Sequence, residues 1–589
     1  MRVADYVFKY LADYGIEHVF LVVGGAAMHL NDAIRKEERI TPICTHHEQG
    51  ASISAEGYSR ERNKLSVVNV TSGPGGTNTL TGVICNWFDS VPVLYISGQV
   101  KYETTTSSIR SNTLRQLGDQ ELNIIDVVKS VTKYAEIVVD PLLIKNKLDK
   151  AIKIATSGRK GPVWLDIPLN IQSALINEED LYDTTYFVGN GEISFANKYY
   201  DIEEEIKKSK RPLLIAGHGI RLAGGQKEFR KFVQKINIPV VTTFNGIDLL
   251  PSDHPNFVGR IGTLGSRAGN FALQNADLVL CIGTRNNIRQ VSYNWKSFAK
   301  NAKKIIVDID ASELSKPTVK GDILIQDDAK KFLKKCIRDV KIKCSEEWLQ
   351  WCIERKNKYP VVIPEYKFEK NINPYYFIEE LTKQLSEDSI IVAGNGTACV
   401  SLFQAGIVKK NQRMFWNSGC ATMGYGVPAS IGASISSGKE VICIEGDGSI
   451  QMNLQELETI RYHELPIKIF VLNNNGYHSI VQTQNTCFEG KSIGCNDRCG
   501  VSFPELSKVA DLYNLKYFRL EYNSSLRDDV EDILEHEGAC ICEVILGDYI
   551  FQPKLSSQKM EDGTMVSQPL ENLFPFLSKE ELESNMIKE

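Results

Sequence analysis

The sequence predicts an α/β protein of three doubly wound parallel-sheet domains followed by a tail. Short apolar runs alternate with helical patterns along most of the chain, as in parallel sheets covered on both faces. The 589 residues, 42% of them hydrophobic, are too many for one core and suit three or four units of about 150 residues. The first and last blocks share one layout of runs, and a differently arranged block lies between them.

The elements follow in order. The opening "MRVADYVFKYLADYG" places Val3, Tyr6, Val7, Tyr10 and Leu11 on one helical face. Strands are expected at 18–23, 65–71, 91–97 and 161–167. After a polar stretch near 175–200 come further strands at 211–217, 238–244, 276–283 and 303–310. A charged segment over 335–372 reads as a surface helix and connector. The third set covers 388–394, 440–446, 467–473 and 540–546, and a polar tail follows Gln552. The expected domains are 1–180, 190–345 and 365–550, with a tail over 551–589.

Net charge is −5 and the isoelectric point about 6.1, which gives no reason to expect nucleic acid or an anionic membrane as partner. No apolar run approaches the ~18 residues of a membrane span, and the N-terminus lacks the features of a secretory leader. A cytoplasmic protein with reduced thiols is expected, since fourteen cysteines accompany no export signal. The tightest cysteine group, Cys487, Cys495 and Cys499, lacks paired CxxC spacing, so no metal is expected there.

The chemistry concentrates in "EVICIEGDGSIQMNLQELETI" (440–460), where a strand runs into Gly446-Asp447-Gly448-Ser449 and then a helical pattern with Met452, Leu454, Leu457 and Ile460. Glycines there let a ligand approach the backbone, and helix-opening amides suit an anion. A carboxylate among them would repel phosphate unless a divalent cation lay between, and Mg²⁺ takes one or two protein oxygens with phosphate oxygens and water. "VLNNNGYHSI" ends the next expected strand, so Asp447 and Asn474 can share one ion at the carboxyl edge of a parallel sheet.

GDG, about two dozen residues, then NN is the thiamine diphosphate motif. The chain resembles the acetolactate synthase family of thiamine diphosphate enzymes over almost its whole length. The matching pieces include "VVGGAAMHLNDAI", "THHEQGASISAEGYSR", "TSGPGGTNTLTGV", "SGCATMGYGVPASIGA" and "LPIKIFVLNNNGY". The resemblance implies a pyrimidine-binding first domain, a central domain and a diphosphate-binding third domain. It implies that Glu48 hydrogen-bonds the cofactor pyrimidine and favours the tautomer that removes the C2 proton. It implies Asp447, Asn474 and the backbone oxygen of Gly476 as Mg²⁺ ligands. Gly448 and Ser449, with Gly396 and Thr397, would face the diphosphate, and Met423 would prop the cofactor in its bent form. Gly24, Gly25 and Gln120 would line the reacting end. Members build each site from two chains, so a homodimer or homotetramer is implied. The implied reaction is decarboxylation of a 2-oxo acid, most simply pyruvate, with transfer of the acyl unit to an acceptor.

The departures concern the acceptor. The family's tryptophan after the NN motif is Thr483 here, and its Gln-His near the diphosphate is Thr397-Ala398. The central stretch that helps hold FAD in the family reads "GTRNNIRQVSYNW": Arg285 and Arg289 remain, while Asn287 and Ile288 replace the aspartates, which leaves FAD open. His46, His47 and especially His478 are further pocket candidates. "NNNGYHSI" and the tail "QPKLSSQKMEDGTMVSQPLENLFPFL" resemble a branch that modifies sugars, so a nucleotide-linked sugar, acylated at a keto carbon or an amine, is the preferred acceptor. Tyr293, Trp295 and the tail would cover it. The alternatives are acetolactate formation from two 2-oxo acids, and a non-catalytic cofactor-binding module.

Overall fold

The structure is a computed structural model that describes residues 1–109, 113–182, 201–488, 490–559 and 561–588, with the backbone alone at 486, 487, 558 and 559. The expected domain start at 190 and the side chain of Cys487 lie outside the described residues. The chain forms three six-stranded sheets, all parallel, and a small antiparallel hairpin.

The first sheet contains β1 (His18–Leu21), β2 (Thr41–Cys44), β3 (Ser66–Val70), β4 (Val93–Gln99), β5 (Tyr134–Ile137) and β6 (Val163–Pro168), in the order β2-β1-β3-β4-β6-β5. The second contains β7 (Pro212–Ala216), β8 (Val240–Thr242), β9 (Phe257–Arg260), β10 (Leu278–Ile282), β11 (Lys303–Asp308) and β12 (Ile323–Gln326), in the order β12-β11-β10-β7-β8-β9. The third contains β13 (Ile390–Ala393), β14 (Arg413–Phe415), β15 (Val441–Gly446), β16 (Ile467–Asn473), β17 (Lys516–Leu520) and β18 (Cys540–Ile545), in the order β14-β13-β15-β16-β18-β17. Counted from its own first strand, the third sheet repeats the order of the first. The central sheet reverses between β7 and β10, the crevice where open α/β sheets bind ligands.

Every strand expected from the sequence is an inner strand, and every strand it missed is an edge. Inner strands are apolar on both faces and stand out as runs. Edge strands do not: three of the four residues of β2 are exposed, and none of β5 is fully buried. β9 and β14 are buried, but glycine and arginine break the first (FVGR) and arginine opens the second (RMF), so neither registers as an apolar run.

The first and third units meet through two helices, Glu48–Arg62 and Gly426–Ser437. Their backbones touch where glycine replaces a side chain. A Cβ on Gly57 would lie 2.0 Å from the Ala429 oxygen, and one on Gly432 would lie 1.8 Å from the Ser54 oxygen. Asp248, fully buried, binds the central unit to the third: it pairs with Arg221 at 2.9 Å and Arg413 at 2.7 Å and accepts the Met414 N–H at 3.1 Å. Burial pushes its carboxyl up, but the two guanidinium groups outweigh that and hold it at about 2.

Three expectations change. The 335–372 segment is more than a surface connector, because helix Glu346–Lys358 buries Trp348, Leu349 and Cys352, with the Trp348 indole donating to Pro212 O at 2.9 Å. The tail is an ordered strap on the central unit: Leu555 N–H donates to Thr263 O at 2.7 Å, Leu570 is buried beside Trp348, and Asn585 Nδ2 donates to the Tyr359 hydroxyl at 2.7 Å. After Gly446 the chain makes a 3₁₀ turn, Ile450–Asn453, before helix Glu456–Tyr462, and Met452 is left 44% exposed. The turn is tight because Gln451 Nε2 bonds Asp447 O at 2.9 Å and Asn453 Nδ2 bonds Gly424 O at 2.7 Å. Among the described residues no helix is long and apolar enough to cross a membrane.

Removing Asp248 leaves two buried guanidinium groups facing each other. Asp248→Ala is expected to destabilise the protein by about 3–5 kcal/mol, read as an earlier denaturant midpoint.

Candidate active site

The N-terminal group gathers at the carboxyl edge of the first sheet. Helix Glu48–Arg62 starts at Glu48, with His47 as its N-cap: Nδ1 accepts the Gln49 N–H at 3.0 Å. His46 is exposed. Glu48 is half-buried, and its Oε2 accepts from Asn78 Nδ2 at 2.9 Å. Gly24 packs on Thr71 beyond β3, while Gly25 beside it faces open space. Gln120 takes a left-handed backbone (φ 60°), and its carbonyl abuts Gly73. Glu48, Gly24, Gly25 and Gln120 therefore border the loops that leave β1 and β3.

The C-terminal group lies at the same edge of the third sheet. β15 and β16 pair in register Gly446↔Leu472, which sets Asp447 beside Asn473-Asn474. Asp447 is 5% exposed. Its carboxylate accepts the N–H groups of Gly448 (2.8 Å), Gly476 (3.0 Å) and Asn474 (3.2 Å). Burial pushes this carboxyl up to about 6, against the downward pull of those amides. Asn474 Nδ2 donates to the Tyr549 hydroxyl at 3.0 Å, while its Oδ1 is buried with no partner among the described residues. A carboxylate beside an orphaned amide oxygen is a donor set that fits Mg²⁺.

Gly396 (φ 73°) precedes helix Thr397–Ala405, whose first amides carry no side-chain cap. That nine-residue helix presents uncapped amides of the kind expected after Ser449, where the chain makes a four-residue 3₁₀ turn instead. Met423 sits in a turn fixed on one side: Gly424 N–H donates to Ser449 Oγ at 2.9 Å, and Gly424 O takes the Asn453 amide. Under these loops Glu445 is fully buried, accepts the Gly426 N–H at 2.7 Å, and has its carboxyl pushed up by burial to about 7.

Tyr549 escaped the sequence reading. Its hydroxyl meets Thr397 Oγ1 at 2.5 Å as well as Asn474, and its ring stacks on His478 at 4.2 Å. His478 is thereby engaged, with Nε2 3.1 Å from Tyr549 O and 2.7 Å from Gln482 Nε2. A cavity of about 350 Å³ opens beside it, walled by Asn474, Arg519 and Asp548 among others. Thr483 lies on the exposed side of helix His478–Cys487, its hydroxyl bonded back to Ser479 O at 2.9 Å.

The two groups lie at the edges of different sheets. Their elements touch through Glu456, another residue the sequence reading missed: it accepts the His46 N–H at 3.2 Å and the Thr459 hydroxyl at 2.7 Å.

Known proteins align with this arrangement. Three models of thiamine pyrophosphate (thiamine diphosphate) enzyme domains match: the N-terminal TPP binding domain over residues 1–125, the central domain over 201–336 and the C-terminal TPP binding domain over 394–544. The acetolactate synthase large subunit of Lactococcus lactis is 34% identical over 548 residues, 92% of either chain. The chain belongs to the acetolactate synthase family. Chloroplastic acetolactate synthase 1 of Oryza sativa is 31% identical over 565 residues, covering 92% of this chain and 84% of its own. The mitochondrial acetolactate synthase of Schizosaccharomyces pombe is 30% identical over 563 residues, covering 90% and 81%.

This acetolactate synthase-family chain also has a cleft of about 410 Å³ at the central switch point, bordered by Phe88, Arg159, Arg285, Arg289 and Asp308. Arg285 stays on its wall, bonding Phe88 O, with Nη2 4.0 Å from Asp89. Arg289 lies over the Phe244 ring at 4.9 Å, and Asn287 Oδ1 caps the Gln290 N–H at 3.1 Å. Trp295 is packed into the core below, whereas Tyr293 is 76% exposed.

Asp308, on the cleft wall, accepts the Asp310 N–H at 3.0 Å, and burial pushes its carboxyl from 3.8 to about 6. A carboxyl whose folded pKa is raised contributes stability that is full below its unfolded value near pH 4 and lost as pH rises through 6. Asp308→Asn keeps the acceptor and removes the charge. It is expected to gain about 1–2 kcal/mol over wild type at pH 8 and nothing at pH 4, as read by denaturant unfolding at both.

Proposed function

We propose that this enzyme decarboxylates a 2-oxo acid, pyruvate first, and joins the acyl unit to a second 2-oxo acid, as an acetolactate synthase. The observation that carries the reading is the buried Asp447 carboxylate beside the unpartnered Asn474 oxygen, in a chain related to acetolactate synthases over nine-tenths of its length.

When bound, thiamine diphosphate supplies the carbon nucleophile and electron sink. The chain's task is to hold and orient it. Asp447, Asn474 Oδ1 and the Gly476 carbonyl would hold Mg²⁺, and the amides at Gly396-Thr397 and Gly448-Ser449 would face the diphosphate. Met423, on its fixed turn, would support the cofactor from below. Glu48, oriented by Asn78, would hold a proton against the pyrimidine nitrogen by a charge-assisted bond. Gly24, Gly25 and Gln120 would border the substrate, and His478, its Nε2 already engaged, would shape the pocket wall.

The family resemblance supports a homodimer or homotetramer in which each site takes Glu48 from one subunit and Asp447 from another. The thirteen described cysteine side chains are all free, which supports a reducing compartment such as the cytoplasm. FAD is left out of the proposal, because carboligation needs no net redox step.

A second reading keeps the donor and changes the acceptor to a nucleotide-linked sugar. The exposed Thr483, where the resemblance puts a tryptophan, favours it, because the helix that begins at His478 presents no bulky ring at that position.

One experiment separates the two. With purified protein, pyruvate, thiamine diphosphate and Mg²⁺, the expected outcome is CO₂ release and acetolactate without any sugar. CO₂ release that needs an amino- or keto-nucleotide sugar, with a heavier sugar product by mass, selects the second reading, and no CO₂ in either arm overturns both. Glu48→Gln is expected to lower kcat by about 10²–10⁴-fold with the circular dichroism spectrum unchanged. Unaltered turnover would remove Glu48 from the mechanism.

A further inference from the structure

The loop after helix His478–Cys487 returns to the metal-binding turn and brings two thiols with it. Cys495 Sγ and Cys499 Sγ lie 3.3 Å apart. Cys495 is buried and Cys499 is partly exposed, in the 3₁₀ turn Asp497–Cys499. Two backbone N–H groups, those of Cys495 and Asn496, each point at Cys499 Sγ from 3.2 Å. Such donors favour negative charge on the sulfur, so the accessible member of the pair is also the one prepared to attack.

Cys495 is joined to the Asn474–Gly476 turn by its main chain. Its carbonyl accepts the Tyr477 N–H at 2.8 Å. The same oxygen lies so close to Gly476 that a Cβ there would approach within 2.2 Å. Gly476 in turn donates its N–H to Asp447. A shift of Cys495 is therefore felt at the carboxylate through two bonded contacts.

We propose that Cys495 and Cys499 form a reversible disulfide, by exchange with a low-molecular-weight disulfide, and that this bond loosens the metal-binding turn. In the first step Cys499 thiolate attacks the small disulfide, forms a mixed disulfide and expels one small thiolate. Cys495 then gives its proton to solvent and attacks the Cys499 sulfur, expelling the second small thiolate. The two cysteines lose two electrons and two protons, and the small disulfide becomes two thiols. The sulfurs must close from 3.3 Å to about 2.05 Å, which costs Cys499 its amide contacts and pulls on the Cys495 carbonyl. The proposal rests on the metal assignment above and adds a control to it.

The test uses the full-length protein, treated with glutathione disulfide and compared as wild type, Cys495→Ser and Cys499→Ser. Peptide mass mapping after alkylation is expected to show the Cys495–Cys499 bond in wild type only. Mg²⁺ titration in the presence of thiamine diphosphate is expected to show about 10- to 100-fold weaker binding for oxidised wild type, restored by dithiothreitol. Both serine variants are expected to keep their Mg²⁺ affinity under oxidation. Absence of the bond, an unchanged Mg²⁺ affinity despite it, or an equal loss in the serine variants would overturn the proposal. Disulfide mapping and Mg²⁺ binding need no turnover, so failure with pyruvate would count against the proposed reaction alone.

Discussion

Burying the Asp447 carboxylate is costly, because a desolvated carboxylate loses several kcal/mol of hydration. Three main-chain amides offset part of that cost, and they come from loops that β15 and β16 project side by side. The compensation is incomplete, since burial still holds the carboxyl up at about 6 and the neighbouring Asn474 oxygen has no donor among the described residues. A cation would complete both. Register between the two strands is thus a condition for the site: a slip by one residue would turn Asn474 to the other side of the sheet.

Other polar groups hold the three units to that register. Asp89 accepts the N–H groups of Ser418 at 2.9 Å and Gly419 at 3.1 Å while paired with Arg60 at 2.7 Å, so the turn bearing Met423 is anchored from the first unit. Asp248 anchors the third unit from the central one. These carboxylates are buried and matched by arginine, which keeps its charge in such surroundings and offers several donors in a fixed fork.

The inner strands, the GDG turn and the NN turn were legible because each is a local pattern with a physical cause. The edges were not, because a half-exposed strand such as β17, with a single fully buried residue, looks like any amphiphilic stretch. Tyr549 and Glu456 were illegible for a different reason. Tyr549 meets Asn474 across 75 residues, and Glu456 meets His46 across 410, so no window of sequence contains either contact. For Tyr549 one signal existed: it follows β18, the neighbour of β16, and ends of neighbouring strands converge. The tail looked like a polar appendage because its apolar residues are scattered, yet Leu570 and Leu573 are buried and Leu555 and Ile587 pack against the same central cluster as Leu570.

The repeated strand order of the first and third sheets has a historical meaning. Gly24-Gly25 leave the first strand of one sheet as Gly394-Asn395-Gly396 leave the first strand of the other, and Gly73-Pro74-Gly75 follow the third strand as Gly446-Asp447-Gly448 do. Two halves built on one plan, with glycine turns at equivalent strand ends, bear the mark of a duplicated gene. After such a fusion each copy can specialise. One half keeps a glutamate at the start of a helix, the other keeps the buried Asp447 carboxylate, and neither has to carry both.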